Sequence, residues 1–177
     1  MTRMHVVFGA AGGLGSAIVR RLVAAGQRVR AVVRAADRAR QVLPDNVKVE
    51  VTDATDARNA HTAARDAHVI YDCINVPFDR WDSDLPRVTE NVLSCAKDAG
   101  AVLVFPSNIY GYGPLQRIPA TEDHPLAASS RRGKLRNQLE EQLLEGETRG
   151  SLPGHAELGR QVGGWLTRFD DRVPASV

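Results

Sequence analysis

The stretch Phe8-Gly9-Ala10-Ala11-Gly12-Gly13-Leu14-Gly15-Ser16 constrains this chain more than any other. The apolar run His5-Val6-Val7-Phe8 before it reads as a buried strand. Leu14, Ala17, Ile18, Leu22 and Ala25 after it recur at helical spacing. Strand, glycine turn and helix together are the context a dinucleotide-phosphate site needs. Gly9 permits the sharp turn, Gly12 lets backbone approach a pyrophosphate, and Gly15 lets the helix pack close to the sheet. The N–H groups at the helix start, those of Gly13 and Leu14 among them, then face an anion that the helix dipole favours. A purely structural glycine turn is the alternative.

The following segments extend this beginning into an alternating pattern. Gly26 is a left-handed stop for the first helix. Arg28–Val33 forms a second strand closed by Arg34, and Val47–Val51 alternates as a third. Residues 56–64 are alanine-rich and helical, and 69–74 form a fourth strand leading to Asn75. Residues 81–99 carry a helical stripe of Leu85, Val88, Val92, Ala96 and Ala99 that Gly100 ends. Ala101–Phe105 reads as a fifth strand. Strands separated by helical segments give an α/β fold, a doubly wound parallel sheet of the Rossmann type. Right-handed crossovers then set the strand order 3-2-1-4-5.

Ligands of such sheets lie over the carboxyl ends of the strands, which makes Ile74 and Asn75 candidates to border the site. An acidic residue at the tip of the second strand suits the ribose of NAD, and an arginine suits the 2′-phosphate of NADP. Arg34 therefore favours NADP over NAD, with Asp37 keeping NAD open and a solvated charge as the plain alternative. Asp53, with Ala54 beside it, either reaches the adenine or serves as a turn or helix-cap aspartate. Cys73 reads as a small core residue, since nothing near it in sequence lowers a thiol pKa. Residues 114–128 form a proline-containing loop, and Ser129 or Ser130 then caps a helix carrying Leu135, Leu139 and Leu143.

Composition narrows the function classes. A length of 177 residues fits one domain with a real core, and a net charge of +2 argues against nucleic acid or an anionic membrane as partner. The first apolar run is too short for a signal peptide, and no run is long enough to span a membrane. Cys73 and Cys95 lack metal-ligand spacing, so no metal is expected, and two cysteines without a secretion signal point to the cytoplasm.

The ordered set of Gly9-x-x-Gly12-x-x-Gly15, the Asp53 loop, Pro106-Ser107-Asn108-Ile109-Tyr110-Gly111-Tyr112-Gly113-Pro114 and Thr121-Glu122-Asp123 before the Lys134 helix resembles the extended short-chain dehydrogenase/reductase family, of the NAD-dependent epimerase/dehydratase type. The resemblance covers about residues 3–145, and residues 1–145 are taken as an NAD(P)-binding domain. It implies hydride transfer between a nicotinamide and a small-molecule substrate, a sugar nucleotide or a carbonyl compound. The family's catalytic serine falls at Asn108, with Ser107 beside it. Its Tyr-x-x-x-Lys pair falls on Ser130 and Lys134, and Lys134 would hold the nicotinamide ribose. An aliphatic hydroxyl is a poor substitute for a tunable phenol. Tyr110 or Tyr112 as the acid, a relay through substrate or water, or a non-catalytic dinucleotide-binding sensor are the alternatives. Helices at about 83–99 and 130–145 resemble those pairing across the family's dimer interface, which implies a homodimer. Residues 146–177 hold six glycines and no clear apolar strand, so they are expected to be an irregular tail. The substrate lobe is then mostly missing, in a truncated or frame-altered member, apart from one helical turn at Trp165, Leu166 and Phe169.

Overall fold

The computed structural model describes residues 3–121, 123–148, 157–162 and 165–166. Strands β1 (Met4–Phe8), β2 (Arg28–Val33), β3 (Lys48–Val51), β4 (Val69–Asp72) and β5 (Val102–Asn108) are all parallel. They lie in the order β3-β2-β1-β4-β5, as the right-handed crossover rule requires. Helices α1 (Gly13–Ala24), α2 (Ala36–Val42), α3 (Ala57–Ala64), α4 (Trp81–Ala99) and α5 (Arg131–Thr148) link and follow them.

Because successive strand residues point to opposite faces, β1 feeds two cores. Val6 and Phe8 join Ile70, Leu103 and Phe105 beneath Ala60, Val88, Val92 and Leu143 of α3, α4 and α5. Val7 joins Ala31, Val33 and Tyr71 beneath Val19, Leu22 and Ala39 of α1 and α2. Near-continuous burial of β1, β2 and β4 is what a sheet covered on both faces demands. Gly26 and Gly100 end α1 and α4 in the left-handed region, at φ 72° and 61°.

Three features depart from the sequence reading. α2 was not expected; its only buried residue is Ala39, so it carries almost no apolar stripe to read. β5 runs on to Asn108 through Pro106, where a strand end was expected. The stretch after residue 146, expected to be irregular, contains β6 (Glu157–Val162), parallel to β5 from Val104↔Glu157 to Asn108↔Gln161, and β7 (Trp165–Leu166), antiparallel to β6. The physical reason is the free edge of β5, whose unpaired N–H and C=O groups accept an extended neighbour whatever its side chains. Trp165 and Leu166 are thus in a strand and not a helical turn. Glu122 and Phe169 lie outside the described residues.

Candidate functional site

The glycine turn is built by close backbone approach. Gly9 has φ +71°, and a Cβ there would stand 2.5 Å from the Cys73 carbonyl oxygen, where the turn crosses β4. A Cβ on Gly15 would stand 2.4 Å from the Gly9 carbonyl oxygen. Gly15 therefore seats α1 and does not itself border the crevice above, whereas Gly9, Gly12, Gly13 and Leu14 do. Nothing lies within 4 Å of a Cβ placed on Gly13. No side chain caps α1, and its first turn contains no acidic residue. First-turn amides have no intrahelical acceptor, so this end offers N–H groups and positive dipole to an anion.

The crevice, ≈ 1040 Å³, runs over the carboxyl ends of β1 to β5. At one end are Arg34, Ala35 and Arg38, with Thr52, Asp53, Ala54 and Thr55. Arg38 Nε donates to the Ala11 carbonyl at 3.0 Å, tying α2 to the glycine turn. Asp37, which kept NAD open in the sequence, pairs with Arg40 at 2.9 Å and does not border the crevice. Asp53 accepts from the Thr55 N–H and hydroxyl, both at 2.9 Å, and these bonds hold its carboxyl below the usual value. The helix cap is the neighbouring Asp56, which accepts from the Asn59 N–H.

At the other end are Asp72, Cys73, Ile74 and Asn75 from β4, and Ser107, Asn108 and Tyr110 from β5 and the turn after it. Asp72 accepts from the Ile74 N–H at 3.2 Å, yet burial pushes its carboxyl up to about 6 against that bond and the pull of Arg136. Burial also pushes the Cys73 thiol up, reinforced by Asp72, which suits a core residue better than a nucleophile. Ser107 donates to Glu140 of α5, which is 1% exposed. The Asn108 side chain accepts from the Tyr110 N–H at 3.0 Å and caps the 3₁₀ turn Ile109–Tyr112. Tyr110 reaches the crevice, whereas Tyr112 is buried and packs on His124 with ring centroids 4.8 Å apart.

Ser130 and Lys134 do not join this set. Both are exposed and neither borders the crevice. Ser130 Oγ accepts from the Gly133 N–H at 3.1 Å, which makes it the cap of α5. The cation that α5 does present to the crevice is Arg136, two residues on and so on another face of the helix. Arg136 is 6% exposed. It donates to the Pro106 carbonyl at 3.1 Å and lies 4.8 Å over the Phe105 ring. Asp72 and Arg136, with Glu140 behind Ser107, are among the residues of this end that sequence reasoning missed. Asp72 alone left a signal, as a carboxylate inside the apolar run of β4.

A dinucleotide fits what is present. The glycine cradle is one that a Cβ would fill, no side chain caps the start of α1, and Arg34 at the tip of β2 and Arg38 on α2 line the same crevice. Among the described residues, no helix is long and apolar enough to cross a membrane.

Solved structures share the fold. A short-chain dehydrogenase/reductase superfamily protein from Agrobacterium tumefaciens with bound NAD superposes with a TM-score of 0.69 at 24% identity, over 89% of this chain and 48% of that one. The Bordetella bronchiseptica enzyme WbmG in complex with NAD gives 0.71 at 20%, over 90% and 52%. A UDP-galactose 4-epimerase gives 0.70 at 25%, over 82% and 52%. The chain thus spans about half the length of these neighbours. No curated protein matches it. A family profile described as NAD(P)H-binding matches residues 9–134, from the glycine turn to the start of α5, which is more than two-thirds of the chain. The fold is therefore that of the short-chain dehydrogenases/reductases and NAD-dependent epimerases, and the chain belongs to the NAD(P)H-binding family.

Proposed function

We propose that the chain binds NADP in preference to NAD, and that it serves hydride transfer on a small carbonyl compound, its alcohol, or a sugar nucleotide. The observation that carries this is one crevice joining an uncapped helix start to Arg34 at the tip of β2 and Arg38 on α2, with Asp37 engaged elsewhere. Gly9, Gly12, Gly13 and Leu14 cradle the diphosphate, Arg34 pairs with the 2′-phosphate, Asp53 and Ala54 border the adenine, and Ile74 and Asn75 border the nicotinamide half. The bound nicotinamide supplies the hydride chemistry, and the chain supplies orientation and a proton. Ser107 and Asn108 position the substrate oxygen. Tyr110 holds the proton, because it is the phenol that borders the crevice and Ser130 is committed to its helix cap. Calorimetric titration tests the cofactor preference. Arg34→Ala is expected to weaken NADP about 10-fold or more and to leave NAD nearly unchanged, the scale of a charge-assisted hydrogen bond. Equal losses for both cofactors would remove the assignment.

A second reading, a dinucleotide sensor without turnover, is favoured by the exposed Lys134 and the serine at position 130. NADPH oxidation over a panel of carbonyl compounds separates the two, since a sensor binds and does not oxidise. We also propose a cytoplasmic homodimer built on α4 and α5. A monomeric mass by light scattering would contradict the dimer.

A further inference from the structure

The crevice changes character along its length. Its β2 end is basic, with Arg34 and Arg38, whereas its β4–β5 end is lined by three rings in series. Phe78 and Trp81 have ring centroids 5.1 Å apart at 45°, and Trp81 and Tyr110 are 5.9 Å apart at 50°. The middle ring is fixed, because Trp81 is 3% exposed and its indole N–H donates to the Val76 carbonyl at 2.9 Å. The outer rings are partly open: Phe78 is 51% exposed, although Arg132 lies over it, and Tyr110 is 44% exposed. Val76 and the half-exposed Ile109 continue the apolar surface. The result is an aromatic shelf built on a fixed indole, with two half-exposed outer rings, in the same crevice as Ser107 and Asn108.

Charge narrows the occupant. Of the guanidiniums lining this end, Arg80 is paired with Asp84, and the buried Arg136 donates to the Pro106 carbonyl and faces the carboxylates of Glu140 and Asp72. Arg132, outside the crevice, stacks 4.6 Å over Phe78. The described cations lining this end thus already face carboxylates, whereas three rings line the same stretch. Offset and edge-to-face contact with such rings favours a flat aromatic partner over a puckered one.

We infer that the β4–β5 end of the crevice is a subsite for a neutral planar aromatic ketone or the matching secondary alcohol, its ring laid on Phe78 and Tyr110 and its oxygen at Ser107 and Asn108. The oxygen function rests on the hydride-transfer reading; the ring does not. The test is calorimetric titration of the full chain with 1-(2-naphthyl)ethanol, with 1-cyclohexylethanol and with UDP-glucose, each with and without NADP. The naphthyl alcohol should bind below about 1 mM and at least fivefold tighter than either other probe, the scale of one aromatic contact. Phe78→Ala and Tyr110→Ala should each lose about fivefold, and Phe78→Tyr should retain binding. No binding of the naphthyl alcohol, tighter binding of UDP-glucose, or unchanged affinity in both alanine variants would overturn the subsite. NADP is titrated separately. Its failure to bind would remove the hydride-transfer reading while the naphthyl titration still decides the shelf.

Discussion

A methyl group added to Gly15 meets the Gly9 carbonyl oxygen, and one added to Gly13 meets nothing. The two glycines therefore separate folding from binding. Gly15→Ala is expected to cost about 1–3 kcal/mol of stability, because the obstacle is backbone and α1 would have to shift. Gly13→Ala is expected to fold as well as the parent, since alanine favours a helix, but to weaken NADP by obstructing the open face. Thermal unfolding and calorimetric titration of both variants check this pair. Asp72 makes a second residue-scale prediction. Its carboxyl value is about 6 in the folded chain against 3.8 ordinarily, so the folded state holds this proton more tightly. Its ionisation therefore removes stability as pH rises from about 4 to about 6, by about 3 kcal/mol at most, and nothing more above that. Asp72→Asn abolishes that loss. Urea unfolding of parent and variant at about pH 4.5 and pH 7.5 should show a difference that changes by that order; a constant difference would contradict it. The glycines were legible because their spacing is itself the signal. Arg136 and Glu140 were not, because a charged residue on a helix reads as solvated until its partners, the Pro106 carbonyl and the Ser107 hydroxyl, are known.

Among elements, α5 tests the difference between a family motif and its local use. Ser130 stands at the family's tyrosine position and works as a helix cap. Ser130→Ala is expected to cost about 0.5–2 kcal/mol of stability, the range for losing such a cap. It should leave NADP affinity within about twofold, as should Lys134→Ala, whose exposed side chain does not border the crevice. A tenfold loss in either would return both residues to the site. Elements were legible in proportion to their apolar periodicity. The α4 stripe marked its helix to within a residue, and β2 was bounded as expected. α2 buries only Ala39, and β6 is paired through its backbone to the edge of β5, so neither left a side-chain pattern to read.

At the scale of the molecule, strand order follows from the hand of the crossovers, and that order alone puts the carboxyl ends of β1, β2 and β4 around one crevice. The fold and the glycine turn that borders the crevice were therefore readable early. The other end of the crevice depends on how β4, β5 and α5 converge, which no local spacing encodes. The central claim is that the start of α1 receives the cofactor's diphosphate while Arg34 receives its 2′-phosphate. Titrating the ¹⁵N-labelled chain with NADP and following its amide resonances tests this most directly. Saturable shifts at Gly12, Gly13, Leu14 and Arg34, with NAD reproducing the glycine shifts and not those at Arg34, are the predicted result. Shifts confined to other elements, or none at the glycine turn, would contradict it.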